Sequence, residues 1–239
     1  MITITDFTRR YLIDTYQIPA EKVALIYQGT DTDRFRHIDR AVTEARNRYP
    51  LPENASPVLG SIGSFEHRKG HPVLFEALAE LVHNALPDAH LMMVGDGPDE
   101  AMLKEKAKLL GLERNISFFP FTSQPDLIFE LLDITVLPSL YKEGLPNVLL
   151  ESMSMGVPVV SSNIGGVAEI VLDGETGYMV EPGDKFALVE AILIIWGNQT
   201  RYQNMKVQAR KLITERFDKA AQFDRFLSYF ETIIQEMKL

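Results

Sequence analysis

The chain has 239 residues, of which 46% are hydrophobic and 24% charged, a composition typical of a globular protein with one or two domains. Its net charge of -9 argues against a nucleic-acid-binding or membrane-surface protein, and the absence of cysteine excludes disulfides and thiol chemistry. No stretch approaches the roughly 20 apolar residues of a membrane span, and the 5 histidines follow no metal-binding spacing. We therefore expect a cytoplasmic protein without a metal site.

The first 56 residues do not follow the pattern of the rest of the chain. Residues 3–17 predict one amphipathic helix, and residues 22–27 predict a lone strand. Residues 28–56 include QGTDTDRF and YPLPENASP, which are rich in turn-forming residues, so we expect a linker there. The acidic triplet DTD at 31–33 suggests a metal site, but we reject that interpretation because it lies in the linker with no further acidic ligand nearby.

From residue 57 to about residue 200, short apolar runs alternate with helical patterns. The runs predict strands over 57–63, 89–97, 115–121, 133–139, 156–162 and 177–184. The helical patterns cover 71–85, 98–111, 125–132, the residues from Pro146 onward, 166–172 and 185–197. Because these runs do not alternate with polar residues, they indicate a parallel sheet covered on both faces. We therefore predict an α/β fold, a Rossmann-like doubly wound sheet of about six strands with helices on both faces.

The loops between these elements are the candidate ligand site. Ligands of an open parallel sheet bind at the carboxyl ends of the strands, near the point where the strand order reverses. The loops expected at that edge are 63–70, 95–98, 120–124, 139–146 and 162–166, and all are rich in Gly, Pro, Ser or Thr. A glycine-rich turn that leads into a helix lets backbone N–H groups approach a phosphate at the helix N-terminus.

The fourth of these loops continues into EGLPNVLLE, residues 143–151, which begins and ends with glutamate. Pro146 suits the first position of a helix. In a helix that begins there, one face carries Asn147, Val148 and Glu151, and the core face carries Leu149 and Met153. Glu143, just before the helix, either compensates the helix dipole or contacts a ligand. Glu151 lies in the second turn, where the dipole explains it less well, and its carboxylate is suited to accept two hydrogen bonds from a ribose diol.

The first loop, GSFEHRKGH, places two cations at the start of a helix. Arg68 and Lys69 oppose the helix dipole there, at a cost of roughly 0.3–1 kcal/mol each if unpaired, and an anionic ligand would remove the conflict. The alternative is that both are solvated surface cations paired with Glu66. His67 and His71 flank the loop, and for them we favour a surface or capping role over catalysis.

Five motifs together resemble a known family in both order and spacing. They are KG at 69–70, VGDGP at 94–98, EGLPNVLLE at 143–151, GVPVVSSNIGGVAEIV at 156–171 and DGETGYMVEPGD at 173–184. VGDGP alone is weak, because Asp-Gly-Pro is also common in turns. The set resembles the retaining glycosyltransferases of the GT-B fold, group 1 or family 4, and EGLPNVLLE is similar to the family's E-x7-E motif. The C-terminal domain of this family binds the nucleotide-sugar donor.

The resemblance implies a role for each matching residue. Lys69 would contact the donor phosphate, Glu151 would hold the ribose hydroxyls, and Glu143 would face the transferred sugar. The expected catalytic residues are thus Glu143 and Lys69. The expected donor-binding residues are Gly63, Ser64 and Arg68 in the first loop; Gly95, Asp96 and Gly97 around the cleft; Phe121 and Thr122 beside the base; Gly144, Leu145, Pro146, Asn147 and Val148, whose backbone would surround the pyrophosphate and sugar; and Glu151. The family requires no metal.

The sequence departs from the family pattern in two ways. The family usually has an arginine directly after the glycine that ends the first strand, and here that residue is Ser64; Arg68 is the candidate substitute. We also expect this chain to lack the first, acceptor-binding domain of the family, as a truncated chain or one half of a split enzyme would. We interpret residues 1–56 as a remnant of that domain with the interdomain linker, 57–200 as the donor-binding domain, and 201–239 as C-terminal helices that return toward the missing domain. Within the last range, 201–217 and 219–237 are helical with apolar stripes.

We therefore expect the donor-binding half of a retaining glycosyltransferase, which transfers a sugar from a nucleotide diphosphate sugar to an acceptor hydroxyl without a cofactor. Alone, the chain should bind nucleotide with little or no transfer. The alternative, favoured by Ser64, is a non-catalytic nucleotide-binding or assembly module of a split enzyme. A GT-B-like epimerase or phosphorylase is a third interpretation, which the E-x7-E motif disfavours.

The expected partners are the nucleotide sugar and the missing acceptor-binding domain, supplied by the same or another chain; nucleic acid is not expected. The intact enzyme is predicted to be cytoplasmic, at the inner face of the membrane. Without the first domain, the apolar faces of helices 3–17 and 219–237 should be exposed and should favour self-association. The nucleotide base, the sugar and the acceptor stay open.

Overall fold

The computed structural model describes residues 1–236, without the side chains of Arg40 and Glu236. The chain begins with strand β1 (Ile2–Thr3), helix α1 (Asp6–Tyr16) and strand β2 (Ala24–Leu25). Because β1 and β2 pair in parallel, the strand predicted to be lone has a partner. The helix starts at Asp6 rather than at residue 3, since the side chain of Thr5 caps its N-terminus.

A second helix, α2 (Asp39–Arg48), lies inside the segment 28–56 that the sequence predicts to be a linker. Ala45 of this helix and Tyr49 just after it are buried, and the Tyr49 ring packs edge-to-face on Phe119 at 5.3 Å between centroids. The segment therefore contains a helix that the sequence analysis did not predict, and its role as an interdomain linker stays a prediction. The helix escapes detection because its sequence, DRAVTEARNR, is almost entirely polar or charged.

Six parallel strands form the main sheet, as predicted. They are β3 (Val58–Ile62), β4 (His90–Val94), β5 (Ile116–Phe119), β6 (Ile134–Leu137), β7 (Val159–Ser162) and β8 (Gly177–Val180). Their order across the sheet is β5-β4-β3-β6-β7-β8, so the direction of winding reverses between β3 and β6. All residues of β4, β6 and β7 are buried, which is why their apolar residues do not alternate with exposed polar ones.

Helices cover both faces of this sheet, also as predicted. They are α3 (His71–Asn84), α4 (Glu100–Leu109), α5 (Pro125–Phe129), α6 (Asn147–Ser154), α7 (Lys185–Trp196) and α8 (Gln199–Arg216). A last helix, α9 (Lys219–Glu236), follows α8 and contributes no residue to the core clusters of the described chain. One core cluster joins β3 and β4 to α3, α4 and α7, and two others join the opposite face to α5, α6 and α8. The predicted helix at 166–172 is only a short 3-10 helix, Val167–Glu169.

The helices α1 and α9 leave large apolar side chains in solvent, as the sequence predicts. On α1 these include Phe7, Tyr11 and Tyr16, and on α9 Phe223, Leu227, Phe230 and Ile234. The last residue of the predicted helix 219–237 lies outside the described residues. Self-association through these faces stays a prediction. Among the described residues, none of the helices combines the length and the apolar character that crossing a bilayer requires.

Candidate functional site

The five predicted loops meet at the carboxyl edge of the sheet. Backbone hydrogen bonds join the first loop to the second, from the Phe65 N–H to the Asp96 carbonyl at 2.7 Å. The first loop also bonds to the fourth, from the Leu140 N–H to the Arg68 carbonyl at 2.7 Å. The strand order reverses at this edge, so the loops surround the position where doubly wound sheets bind ligands.

A cavity of about 460 Å³ opens between the first three loops. It contains seven of the predicted donor-binding residues: Gly63, Ser64, Gly95, Asp96, Phe121, Thr122 and Glu151. Its volume lies within the range of small-molecule sites, roughly 300–1,000 Å³. Sequence reasoning missed its remaining walls, which are Arg34, Phe35, Ile62, Val94, Ser123 and Pro125. Arg34 and Phe35 come from the segment expected to be a linker, so only the folded chain brings them here.

Gly95 and Gly97 lie where two loop backbones touch. A Cβ at Gly95, whose φ is 145°, would collide with the Gly63 carbonyl, and a Cβ at Gly97 would collide with the backbone of Phe65. These two glycines therefore allow the second loop to pack directly on the first. Gly95 lines the cavity, whereas Gly97 lies behind it and accepts a hydrogen bond from the first residue of α4, Glu100.

Glu151 lies in the second turn of α6 and presents its carboxylate to the cavity. Burial raises the pKa of Glu151 to about 7, the nearby Arg34 guanidinium lowers it, and the Asp126 carboxylate raises it further. Within residues 1–236, no hydrogen bond contributes to this shift. The core prediction for α6 is confirmed, because Leu149 and Met153 are fully buried. The result is a desolvated carboxylate that is available to a ligand.

Not every residue predicted on this face of α6 reaches the cavity. The Asn147 side chain is exposed and accepts a hydrogen bond from the Gln28 side chain. Val148 packs between the core clusters under the sheet. Only Glu151 of the three lines the cavity, so the other two could contribute through backbone N–H groups at the helix start.

Pro146 precedes the helix rather than occupying its first position, which corrects the sequence prediction. Its φ of -67° and ψ of 116° are extended, and α6 begins at Asn147. The proline is therefore the N-cap residue, and it brings no side-chain hydrogen bond to the helix start. Gly144 and Leu145 lead into this cap; Leu145 is buried, and the Gly144 carbonyl accepts from the Gly166 N–H at 3.0 Å.

The Glu143 carboxylate is held by three donors just before this helix. Its Oε1 atom lies 2.6 Å from Lys69 Nζ, 2.6 Å from Ser139 Oγ and 3.5 Å from Arg68 Nη1. The side chains of Lys69 and Glu143 are only 13% and 8% exposed, so they form a largely buried ion pair. We call Lys69, Arg68, Ser139 and Glu143 the charge cluster. Simple compensation of the helix dipole does not account for a glutamate with these partners.

The alternative interpretation of the first loop is correct for one cation and wrong for the other. Arg68 Nε lies 2.8 Å from the Glu66 carboxylate, as that interpretation expects. Lys69 is neither solvated nor paired with Glu66, because Glu143 takes it instead. Hydrogen bonds from Arg68 and then from Ser64 lower the pKa of Glu66, so Ser64 belongs to the same polar chain. Arg68 is thus the member of the charge cluster that also pairs with Glu66. That Arg68 substitutes for the cation missing at Ser64 stays a prediction.

His71 is buried, which contradicts the surface or capping role predicted for it. It is the first residue of α3, its ring packs edge-on against Phe65 at 5.5 Å, and its Nδ1 atom has no hydrogen-bond partner among the described residues. Burial, and to a smaller extent the Lys69 ammonium, lowers the pKa of His71 to about 4. The ring is therefore neutral near pH 7. His67 lies beside Tyr141, outside the cavity.

Comparisons with known proteins agree with this geometry. The sequence model of the family described as glycosyl transferases group 1 matches residues 42–212. N-acetyl-alpha-D-glucosaminyl L-malate synthase from Bacillus anthracis is 27% identical over 238 residues, which cover 98% of this chain and 59% of that protein. The chain therefore spans about three fifths of that relative.

Two solved structures have the same fold. Anabaena HepE in complex with UDP and glucose superposes with a TM-score of 0.88 at 22% identity, covering 96% of this chain and 62% of that one. The C-terminal domain of LpcC, a glycosyl transferase group 1 family protein from Francisella tularensis, superposes with a TM-score of 0.71 at 23% identity, covering 80% of this chain and 99% of that domain. Together with the family match, which extends over the cavity loops and the charge cluster, these findings establish that the chain belongs to the group 1 glycosyl transferases and is similar to their C-terminal domain.

Proposed function

We propose that this chain is the donor-binding part of a retaining glycosyltransferase, which transfers a sugar from a nucleotide diphosphate sugar to an acceptor hydroxyl. The observation that carries the proposal is that two carboxylates, one just before α6 and one in its second turn, lie in different environments. Glu151 stands free on the wall of an open cavity, whereas Glu143 belongs to a cluster of cations at the helix start. A nucleotide diphosphate sugar requires both environments next to each other: a cavity for its nucleoside and a cationic site for its diphosphate and sugar.

The nucleoside would occupy the cavity. The Glu151 carboxylate is suited to accept two hydrogen bonds from the ribose hydroxyls, as acidic residues do in other Rossmann-like sites. Phe121 and Thr122 wall the cavity beside it, where the base would lie. HepE, which shares the fold, is described in complex with UDP. For this chain the base remains open.

The diphosphate would lie between the cavity and the charge cluster. Lys69 and Arg68 bring positive charge, and the first N–H groups of α6 have no partner within the helix. In the unliganded chain Glu143 neutralises Lys69. On our proposal, phosphate takes over the cations and Glu143 turns its carboxylate to the transferred sugar. The cations and the helix N-terminus then stabilise the leaving diphosphate by electrostatic preorganisation.

The two glutamates do not form the pair of a glycosidase. Glycosidases place both carboxylates at the reacting carbon, about 5 to 9.5 Å apart, one as acid and one as base or nucleophile. Here Glu151 is assigned to the ribose, away from that carbon. The reaction on this proposal requires no metal. Since the chain spans about three fifths of its relative, acceptor binding is assigned to residues outside it, and little transfer is expected from this chain alone.

Isothermal titration with UDP, GDP, ADP and their sugar forms tests the proposal. We expect one base to bind with a dissociation constant below about 1 mM. Glu151→Ala should abolish that binding while leaving the fold intact by circular dichroism. Glu190→Ala is the control, because Glu190 is also a helical glutamate but is exposed on α7, away from the cavity. No binding by any nucleotide at millimolar concentration would overturn the proposal.

The second candidate is a non-catalytic assembly module, and Ser64 is the observation that favours it. A serine at the place of an expected arginine lowers the positive charge that faces a diphosphate. The first proposal requires wild type to bind a nucleotide and Glu151→Ala to lose it. A folded wild-type chain that binds no nucleotide but captures an acceptor-binding domain would favour the module instead.

A further inference from the structure

Arg34 enters the donor cavity from outside the main α/β unit. It belongs to the segment between β2 and α2, yet its guanidinium lies 2.7 Å from the Ser123 carbonyl and 2.8 Å from Asp126 Oδ1. The next residue, Phe35, is buried, and its ring packs on Phe129 at 6.2 Å between centroids. Two contacts therefore fix the position of Arg34: the buried ring of its neighbour Phe35, and its own hydrogen bonds to the loop that forms the cavity wall.

The surroundings of Glu151 contain few charges that influence it. Arg34 lowers the pKa of Glu151, and Asp126, which is bonded to Arg34, raises it. Asp96 lies on the same cavity wall. On the opposite side of α6, Arg210 of α8 points to the far end of the helix and bonds to the carbonyl oxygens of Ser154 and Phe35. Among the described residues, Arg34 is thus the cation whose charge reaches the Glu151 carboxylate.

We propose that Arg34 is a positioning residue of the donor cavity: it fixes the loop at 121–126 and supplies the positive charge that Glu151 needs to accept the ribose hydroxyls. The inference rests on the proposed function, because it presumes that a nucleotide binds at this cavity. It assigns a role in donor recognition to the segment that precedes the sheet. Asp126 has the opposite effect, since its carboxylate opposes the negative charge on Glu151.

The physical basis is the protonation state of Glu151. A carboxylate accepts strong, charge-assisted hydrogen bonds from two hydroxyls, whereas a protonated carboxyl carries its own O–H and accepts weakly. Because the pKa of Glu151 is about 7, nucleotide affinity should rise with pH through that value and then level off. Removing a cation raises the pKa and moves the rise to higher pH. Removing the Asp126 charge moves it to lower pH.

The experiment measures the affinity for whichever of UDP, GDP or ADP binds wild type, between about pH 5.5 and about pH 8.5. The variants are Arg34→Met, which keeps length without charge, Arg34→Lys, which keeps charge, and Asp126→Asn. Arg36→Met is the control, because Arg36 is exposed two positions away and does not line the cavity. The terminal phosphate titrates near pH 6 in every case, so differences between variants report on the protein.

We expect Arg34→Met to bind about tenfold more weakly than wild type at pH 7 and to recover as pH rises. Arg34→Lys should stay close to wild type in its pH profile, Asp126→Asn should shift to lower pH, and Arg36→Met should match wild type. Asp126→Asn keeps the test valid even if Arg34→Met does not fold. Unchanged pH profiles in both Arg34→Met and Asp126→Asn, with wild type binding normally, would overturn this inference alone. No binding by wild type would overturn it together with the proposed function.

Discussion

The cavity and the charge cluster, the two ends of the proposed donor site, hold their carboxylates in opposite ways. At the charge cluster, Glu143 is buried against Lys69 and Ser139, each at 2.6 Å, so its charge is matched within the protein. At the cavity, Glu151 is also desolvated, but burial raises its pKa to about 7 and no hydrogen bond within the described residues offsets this. The charge of Glu143 is therefore satisfied by protein groups, whereas that of Glu151 would be satisfied by a ligand.

This difference separates residues whose contacts stabilise the fold from residues whose polar groups are available to bind a ligand. Removing one partner of a buried ion pair leaves the other charge buried without compensation, so truncating one member of the charge cluster should destabilise the fold. A buried carboxylate without partners lowers stability above its pKa, and such a residue is retained only where function needs it. We therefore expect substitutions at the two ends to change stability in opposite directions.

Lys69→Ala should give the largest effect. It would leave Glu143 buried with only Ser139 and the more distant Arg68 as partners, and we expect a loss of about 3 kcal/mol in the free energy of unfolding. The measurement is urea unfolding at pH 7. The same variant should lose nucleotide affinity, because Lys69 is the proposed phosphate contact.

Lys104→Ala is the matched control for this effect. Lys104 Nζ also lies 2.6 Å from a glutamate oxygen, that of Glu100, but these side chains are 51% and 41% exposed. An exposed i,i+4 pair contributes only about 0.3–0.5 kcal/mol. Equal losses of unfolding free energy in the two variants would show that burial of the Lys69–Glu143 pair has no effect on stability. That result would contradict the prediction.

Glu151→Gln should stabilise the protein at high pH. The pKa of Glu151 is raised from 4.5 to about 7, so between these values the folded chain holds a proton that the unfolded chain has released. Stability contributed by this group therefore falls as pH rises from about 4.5 to about 7 and stays low above. At about 1.4 kcal/mol per pKa unit, the full shift would correspond to about 3 kcal/mol at pH 8. Because Glu151 is partly exposed, we expect the glutamine variant to be more stable than wild type there by about 2 kcal/mol. Near pH 4 the two should be equal.

Urea unfolding across this pH range, with Glu190→Gln as an exposed control on α7, measures the difference. Comparison of each variant with wild type cancels the titration of other groups, such as His71 and Asp133. A glutamine variant that is less stable than wild type at pH 8 would mean that Glu151 has partners in solution that this structure lacks. The variant should also lose nucleotide binding.

Gly165→Ala tests whether the backbone of the charge cluster is fixed. Gly165 has a φ of 57°, and a Cβ there would collide with the Glu143 carbonyl oxygen. The left-handed backbone alone costs an alanine about 1–2 kcal/mol, and the collision should bring the loss to about 2 kcal/mol or more. Gly174→Ala is the control, because Gly174 has a φ of 76° with open space around its Cβ position. A similar loss in both would indicate that the loop at Glu143 moves freely.

The sheet and one half of the site could be predicted because their signals are local. The strands at 90–94 and 134–137 are apolar at all but one position each, and the E-x7-E spacing predicts Glu143 just before a helix and Glu151 within it. The Lys69–Glu143 pair joins residues 74 positions apart, so no local pattern reveals it. The pairing of β1 with β2 and the burial of His71 likewise depend on tertiary packing.

The same reason explains why Arg34 was missed. It stands in a polar, turn-rich stretch, and its hydrogen-bond partners, Ser123 and Asp126, follow about 90 positions later in the sequence. The polar helix α2 that follows shows only a weak apolar stripe. A segment that looks like a linker in sequence can therefore supply part of a binding site when its few buried residues, here Phe35 and Tyr49, dock on the sheet.

The smallest expected effect on stability comes from the exposed face of α9, which contributes none of its described residues to the cavity or to the charge cluster. Phe223 and Leu227 are 61% and 48% exposed, one turn apart on the same face of the helix. Replacing both by glutamine removes exposed apolar surface, so we expect less self-association in light scattering. The free energy of unfolding should change by less than about 0.5 kcal/mol, and nucleotide affinity should not change.

Arg225→Gln is the control for this variant, since Arg225 is exposed on α9 but not apolar. A wild-type chain that is monomeric at all concentrations would contradict the predicted association. If the double variant loses nucleotide affinity, the exposed face of α9 influences Glu151 or the charge cluster, and the predicted independence of α9 from nucleotide binding is wrong. If the double variant changes only self-association, the exposed apolar face of α9 contributes to contacts between chains and not to nucleotide binding.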